Sequence, residues 1–254
     1  MVSTGRIQSI ERAISIMDCF SKNSRELKLA EISDETGINK STVHGILSTL
    51  KYHGFIGQDE KTQKYRLGLE LLKYGDLVLG SIDISDIAKP VICMLSRTIG
   101  ETVHIGISDG EEIVYILKAE PEDSIKISAT IGSRNPLYLT ADGRVILAHM
   151  DLDKIKSYIP ENIKKSTENT VTDREQLIKD LEEIRKNGYA IDNEEIMEGI
   201  VCIAAPIFDH SGEAKYGMSI LGPSSRLTGE KLKECIELIK IKTREISYEI
   251  GYKG

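Results

Sequence analysis

Leu29-Ala30-Glu31-Ile32-Ser33-Asp34-Glu35-Thr36, then Gly37-Ile38, then Asn39-Lys40-Ser41-Thr42-Val43-His44-Gly45-Ile46-Leu47 is the stretch that gives the N-terminal part of this chain its architecture. The first segment reads as a short helix ended by Gly37, a residue free to take the left-handed conformation of a sharp turn. Asn39 is a good N-cap for a second helix. Ile32, Ile38, Val43, Ile46 and Leu50 point inward and lock the pair, and Ser33 is small where the helices approach. The second helix then exposes Lys40, Ser41, Thr42, His44 and Ser48, short polar and basic side chains that either reach into a DNA major groove or form a plain solvated face.

Before this pair, Ile7, Ile10, Ile14 and Met17 recur at helical spacing, so residues 6–21 read as an amphipathic helix. After it, Gly54 ends the second helix. Phe55 to Gln58 and Gln63 to Leu67 read as strands around the turn Asp59-Glu60-Lys61-Thr62. A hairpin after a recognition helix is a wing, with Lys64 and Arg66 as its phosphate contacts. Residues 1–68 carry 10 Lys and Arg against 8 Asp and Glu, while the remaining chain carries 23 against 32. The later part therefore carries −9 and the first part +2, which sum to −7, and the first part is free to approach phosphates.

Leu67, Leu71, Tyr74, Leu77 and Ile82 continue a helical period across 67–88. Gly75 and Gly80 weaken that helix, and Pro90 marks its limit or the start of the next. The exposed stripe packs either on its own domain or on the same helix of a second subunit. The expected domains are a winged helix-turn-helix over 1–68, a linker helix over 69–88 and a larger domain over 89–254. In that last part 91–98 reads as helix, Val103-Ile105-Ile107 as a strand, and Ile113 to Leu117 as a central strand. Thr140 to His149 is a short helix capped by Thr140, and Asp173 to Asn187 a long one closed by Gly188. Tyr189 to Asp192, Val201 to Phe208 and Tyr216 to Leu221 read as strands. Leu232, Ile236, Ile239, Ile246 and Ile250 give a last helix. Antiparallel sheet flanked by helices makes the class α+β.

The 254 residues, 40% hydrophobic and 29% charged, are those of an ordinary globular protein. The longest uncharged apolar stretch, Gly199 to Phe208, is too short to span a bilayer, and no signal peptide is legible, so the expectation is a cytoplasmic protein. Cys19, Cys93, Cys202 and Cys235 are scattered, which leaves no expectation of a structural metal, a disulfide framework or a cofactor.

Gly188, Asp192, Glu195, Cys202-Ile203-Ala204 and Ile207-Phe208-Asp209 stand at spacings that resemble the signature of the IclR family of transcriptional regulators. Gly100-Glu101-Thr102-Val103, Thr140-Ala141-Asp142-Gly143-Arg144 and Ser219 to Pro223 extend the resemblance, as does the Leu29 to Leu50 helix pair. It implies a GAF-like effector domain, a homodimer or homotetramer, operator DNA as partner, and control of catabolic genes by small metabolites, often organic acids. It also implies an effector pocket formed by Asp192, Cys202, Ser219 and the backbone amides near Ala141 and Asp142. A helix N-terminus suits an anion. Two departures weigh against a small anion: Leu221 stands where the family often has a second serine, and Asp142 puts a carboxylate at the helix start. Both favour a ligand with an apolar portion against Leu221 and a hydroxyl or carbonyl near Asp192 and Ser219. Two other readings remain open. The second domain could serve oligomerisation alone, or Cys202, Asp192 and His104 or His149 could form a thiol catalytic set, although no motif sets a histidine beside Cys202.

Overall fold

The computed structural model describes residues 6–21, 24–80, 84–121 and 130–254, and the chain divides into two compact units, 1–81 and 82–254. In the first, α1 (Gln8–Asp18), α2 (Leu29–Thr36) and α3 (Lys40–Tyr52) enclose a core of Ile16, Ile32, Val43 and Leu47. Gly37 takes φ 67° at the end of α2. The Ser33 hydroxyl donates to the Ile38 carbonyl at 2.6 Å, so this small residue fastens the turn as well as fitting it. The Asn39 side chain accepts from the Thr42 N–H at 2.9 Å and caps α3. Strands β1 (Ile56–Gln58) and β2 (Tyr65–Leu67) pair antiparallel as a wing, with Gly57 opposite Arg66. Leu27 adds a bridge to Tyr65.

Two expectations are corrected here. Ile7, Ile10 and Ile14 are 62, 54 and 48% exposed, and α1 buries Ile16 instead, with Met17, Cys19 and Phe20 beside it. Helical periodicity shows that an apolar stripe exists, but a helix with two adjacent stripes does not reveal which one faces the core. The helix expected over 67–88 also starts later than its period suggested, because Leu67 closes β2. Helix α4 (Glu70–Gly80) precedes helix α5 (Ser85–Ile99), and residues 81–83, Ile82 among them, lie outside the described residues. Pro90 neither ends nor starts a helix but sits inside α5, in its second turn.

The second unit is a six-stranded sheet in the order β5-β4-β3-β8-β7-β6, antiparallel at every pairing. Its strands are β3 (Thr102–Asp109), β4 (Glu112–Ala119), β5 (Arg134–Pro136), β6 (Ala190–Asn193), β7 (Ile200–Phe208) and β8 (Ala214–Pro223). The run expected as a central strand is β4, one place in from the edge, and β3 and β8 form the centre. Strand β5 and the short helix α7 (Leu152–Tyr158) are additions that the sequence did not announce.

Residues alternate across the sheet. Val103, Ile105, Ile203, Met218 and Ile220 pack with α5 and with α9 (Gly229–Glu249) in one core. The opposite face carries α6 (Ala141–Leu147), followed by α7 and α8 (Arg174–Asn187). Contact between α6 and β8 is backbone to backbone: a Cβ on Gly217 would overlap the Asp142 carbonyl group. Among the described residues no helix is long and apolar enough to cross a membrane.

Candidate functional site

A cavity of about 280 Å³ opens where the N-terminus of α6 meets the sheet. The pairing register builds its floor. His104 lies opposite Ser219, Ser219 opposite Ala204, Cys202 opposite Leu221, and Asp192 opposite Cys202. Ala141, Asp142, Asp192, Cys202, Ser219 and Leu221 all line this one cavity. Ser219 and Leu221, two apart on β8, share its face.

Asp142 does more than occupy a first turn. Its buried carboxylate accepts from the Tyr115 hydroxyl at 3.3 Å, the Ser219 hydroxyl at 3.2 Å and its neighbour Gly143 N–H at 3.2 Å. Burial pushes its pKa up, while the hydrogen bonds from Thr140, Ser219 and Tyr115 oppose that rise. Thr140 caps α6 by accepting from Gly143 N–H at 3.0 Å. The first bond back along the helix is Arg144 N–H to the Thr140 carbonyl, so the N–H groups of Ala141 and Asp142 precede the intrahelical ladder.

Burial lifts Asp192 to about 6; the Glu195 N–H that it accepts at 2.7 Å opposes this, and the Glu195 carboxylate adds to it. The Cys202 thiol is raised well above its ordinary value by burial and then by the charges of Asp142 and Asp192. Sequence reasoning missed Tyr115 and Asn135 as cavity residues and named His104 only as a partner of Cys202 in a thiol set. It also missed the clamp beside the cavity. Arg144 grips Glu195 with two bonds, of 3.0 and 2.7 Å, and donates a third to the Tyr138 carbonyl at 2.8 Å. Both partners are buried.

In the first unit, Lys40, Ser41, His44 and Ser48 are exposed on α3, and Thr42 is half-buried. The Ser41 hydroxyl donates to Asn39 Oδ1 at 2.8 Å, which fixes its direction. On the wing Lys64 is half-buried, and Arg66 lies 3.8 Å from Glu26.

Residues 9–60 match the IclR helix-turn-helix domain, and residues 76–248 match the C-terminal domain of the bacterial transcriptional regulator IclR. The chain belongs to the IclR family of transcriptional regulators. Escherichia coli KdgR, an HTH-type transcriptional regulator, is 37% identical over 97% of this chain and 94% of its own length. The crystal structure of Thermotoga maritima IclR, 37% identical, superposes with a TM-score of 0.83 over 97% of this chain and 100% of that one. An IclR homologue from Microbacterium hydrocarbonoxydans, complexed with 4-hydroxybenzoate, gives a TM-score of 0.83 over 96% of this chain and 99% of its own; at 19% identity it shows the fold alone.

This IclR-family regulator carries a measurable cost at Asp192. An aspartate raised from 3.8 to about 6 binds its proton more tightly in the folded state, so stability falls as pH rises from about 4 to about 6. The loss is at most about 3 kcal/mol. Asp192→Asn keeps an acceptor for the Glu195 N–H but carries no charge. It is expected to stabilise the second unit against urea at pH 7.5 by up to that amount, with the gain vanishing below pH 4. An equal effect at both pH values would refute the assignment.

Proposed function

We propose that the cavity beside α6 is the effector pocket of this DNA-binding regulator, and that its occupancy changes the affinity of the N-terminal unit for operator DNA. The buried Tyr115–Asp142–Ser219 network at the cavity wall carries this reading, because polar groups held dry around a hollow are a prepared binding surface. The relative complexed with 4-hydroxybenzoate supports small-molecule binding on this fold.

The ligand class follows from the lining. Its guanidinium, Arg134, is engaged by Asp109 and Glu112. Two carboxylates, Asp142 and Asp192, face the space. A small anion would meet their charge, whereas a hydroxylated, weakly charged metabolite would donate to Asp192 and lay its apolar part on Leu221 and Met197. Thermal shift against paired alcohol and carboxylate analogues tests this, since a ligand of the folded state raises the midpoint. The alcohols are expected to give the larger shifts, and Leu221→Ser should move the preference toward acids. Larger shifts with small dicarboxylates, unchanged by Leu221→Ser, would contradict the reading.

The chemistry of the lining favours binding over catalysis. Cys202 shares its cavity with His104, but a thiol held protonated beside two carboxylates is a poor nucleophile. His149 does not line that cavity.

On the DNA side, α3 is the recognition helix and the hairpin the wing. Lys40→Ala and Lys64→Ala should weaken binding to every sequence and flatten its salt dependence, because phosphate contacts release counterions. Thr42→Ala should instead change which operator sequence is preferred. Gel-shift titrations in which all three leave affinity and preference untouched would overturn the docking. Two or four copies are proposed to assemble, since Leu69, Leu72 and Leu77 are 81, 69 and 62% exposed. Light scattering should return at least twice the 28.2 kDa chain mass, and the monomer mass would contradict it.

A further inference from the structure

The second unit holds another hollow of opposite electrical character. It measures about 390 Å³ and lies between the end of α8, β7 and α9. Arg185 and Lys186 from α8 line it, as do Lys240 and Arg244 from α9, and among the described residues no carboxylate does. Among the described residues neither Arg185 nor Arg244 forms an ion pair, whereas Lys186 is held by Glu183 at 2.6 Å and Lys240 lies 4.0 Å from Glu237.

Cations in the last turn of a helix offset its dipole, which accounts for Arg185 and Lys186. That reason does not extend to Lys240 and Arg244. They stand in the interior of a helix running from Gly229 to Glu249, four residues apart and so on one face. In a chain of net charge −7, Arg185 and Arg244 meet at one concave place with no ion pair of their own among the described residues, and they call for a counter-charge. The walls are firm. Phe208 stacks on Tyr252 with ring centroids 5.0 Å apart, and its N–H donates to the buried Ser247 hydroxyl at 3.0 Å.

We propose that this hollow is a second ligand site, for a small multivalent oxyanion, gripped by Arg185 and Arg244 and assisted by Lys240. Guanidinium groups bind phosphate and carboxylate by paired hydrogen bonds, so the two sources share one chemistry. The site complements the effector cavity, whose two carboxylates repel such an anion, and the regulator then registers two metabolites of unlike charge.

The test is calorimetric titration of the full chain with fructose 1,6-bisphosphate and, separately, citrate. Binding of either is expected, and the tighter one identifies the source as phosphate or carboxylate. The double variant Arg185→Gln/Arg244→Gln should lose at least tenfold in affinity. Lys164→Gln/Lys165→Gln, which removes equal charge from exposed positions outside the hollow, should stay within twofold. Circular dichroism on each variant separates lost binding from lost folding. No heat with either probe would overturn the proposal, and so would equal losses in the two double variants. So too would an affinity raised by Asp142→Asn and untouched in the arginine pair, which would place the anion in the effector cavity. Failure of both probes together with weaker operator binding by the arginine variant would assign the cations to DNA instead. Apart from that Asp142→Asn outcome, none of these results bears on whether the effector cavity takes its own ligand.

Discussion

Glu195→Ala is expected to cost the second unit about 3–5 kcal/mol, because it takes away the carboxylate that the buried Arg144 guanidinium binds and leaves only the more distant charge of Asp192. The side chain of Arg144 is only 5% exposed and that of Glu195 only 10%, so water cannot replace the lost partner without opening the structure. The pair joins α6 to the segment after β6, and the backbone carbonyl of Glu195 is itself held by the hydroxyls of Thr167 and Thr170, at 3.1 and 2.6 Å. Removing both charges, as Arg144→Met/Glu195→Leu, should restore most of the loss, since the cost is that of one orphaned ion. Urea denaturation followed separately for the two units reads this: the midpoint of the second unit falls and that of the first stays. A loss below about 1 kcal/mol in the single variant would mean that solvent reaches Arg144.

A comparable disruption is expected at Gly217. A Cβ there runs into the Asp142 carbonyl group, and both sides of that contact are backbone. No rotamer change can relieve it, so Gly217→Val must lift α6 off β8. Overpacking of this kind costs about 1–3 kcal/mol, and more where the backbone must move. The functional consequence follows from the same contact. Lifting α6 draws Asp142 away from Ser219, which β8 carries, and breaks the cavity network. Gly217→Val should therefore lower the melting point of the second unit and remove every ligand-induced thermal shift, while the first unit keeps its own transition. Unchanged ligand shifts in this variant would show that the cavity does not depend on the α6–β8 contact.

Both effects arise from contacts that the sequence shows only indirectly. What was legible is local. Gly37, Asn39 and Ser33 announce the turn and cap of the helix pair within a few residues of one another, and Thr140, Asp173 and Gly188 mark helix ends by their own side chains or lack of one. Asp192, Cys202, Ser219 and Leu221 were assembled by resemblance to the IclR family, and the register of β6, β7 and β8 places them together. Arg144 and Glu195 are 51 residues apart, and Tyr115 and Asp142 are 27 apart across two elements; no period or cap signals such meetings. Strand β5, only Arg134–Pro136, is too short to alternate, and α7 has seven residues, too few to establish a helical period. The outward turn of Ile7, Ile10 and Ile14 was illegible for another reason: which stripe of α1 is buried depends on what α3 offers it.

Control of DNA binding by the cavity beside α6 can be read in an operator gel-shift titration, with and without a ligand chosen by thermal shift, on the unmodified protein and on Asp192→Ala. The ligand is expected to change operator affinity at least tenfold in the unmodified protein and less than twofold in the variant, whose ligand-free affinity stays the same. An equal ligand effect in both proteins, or loss of ligand-free DNA binding in the variant, would contradict that coupling.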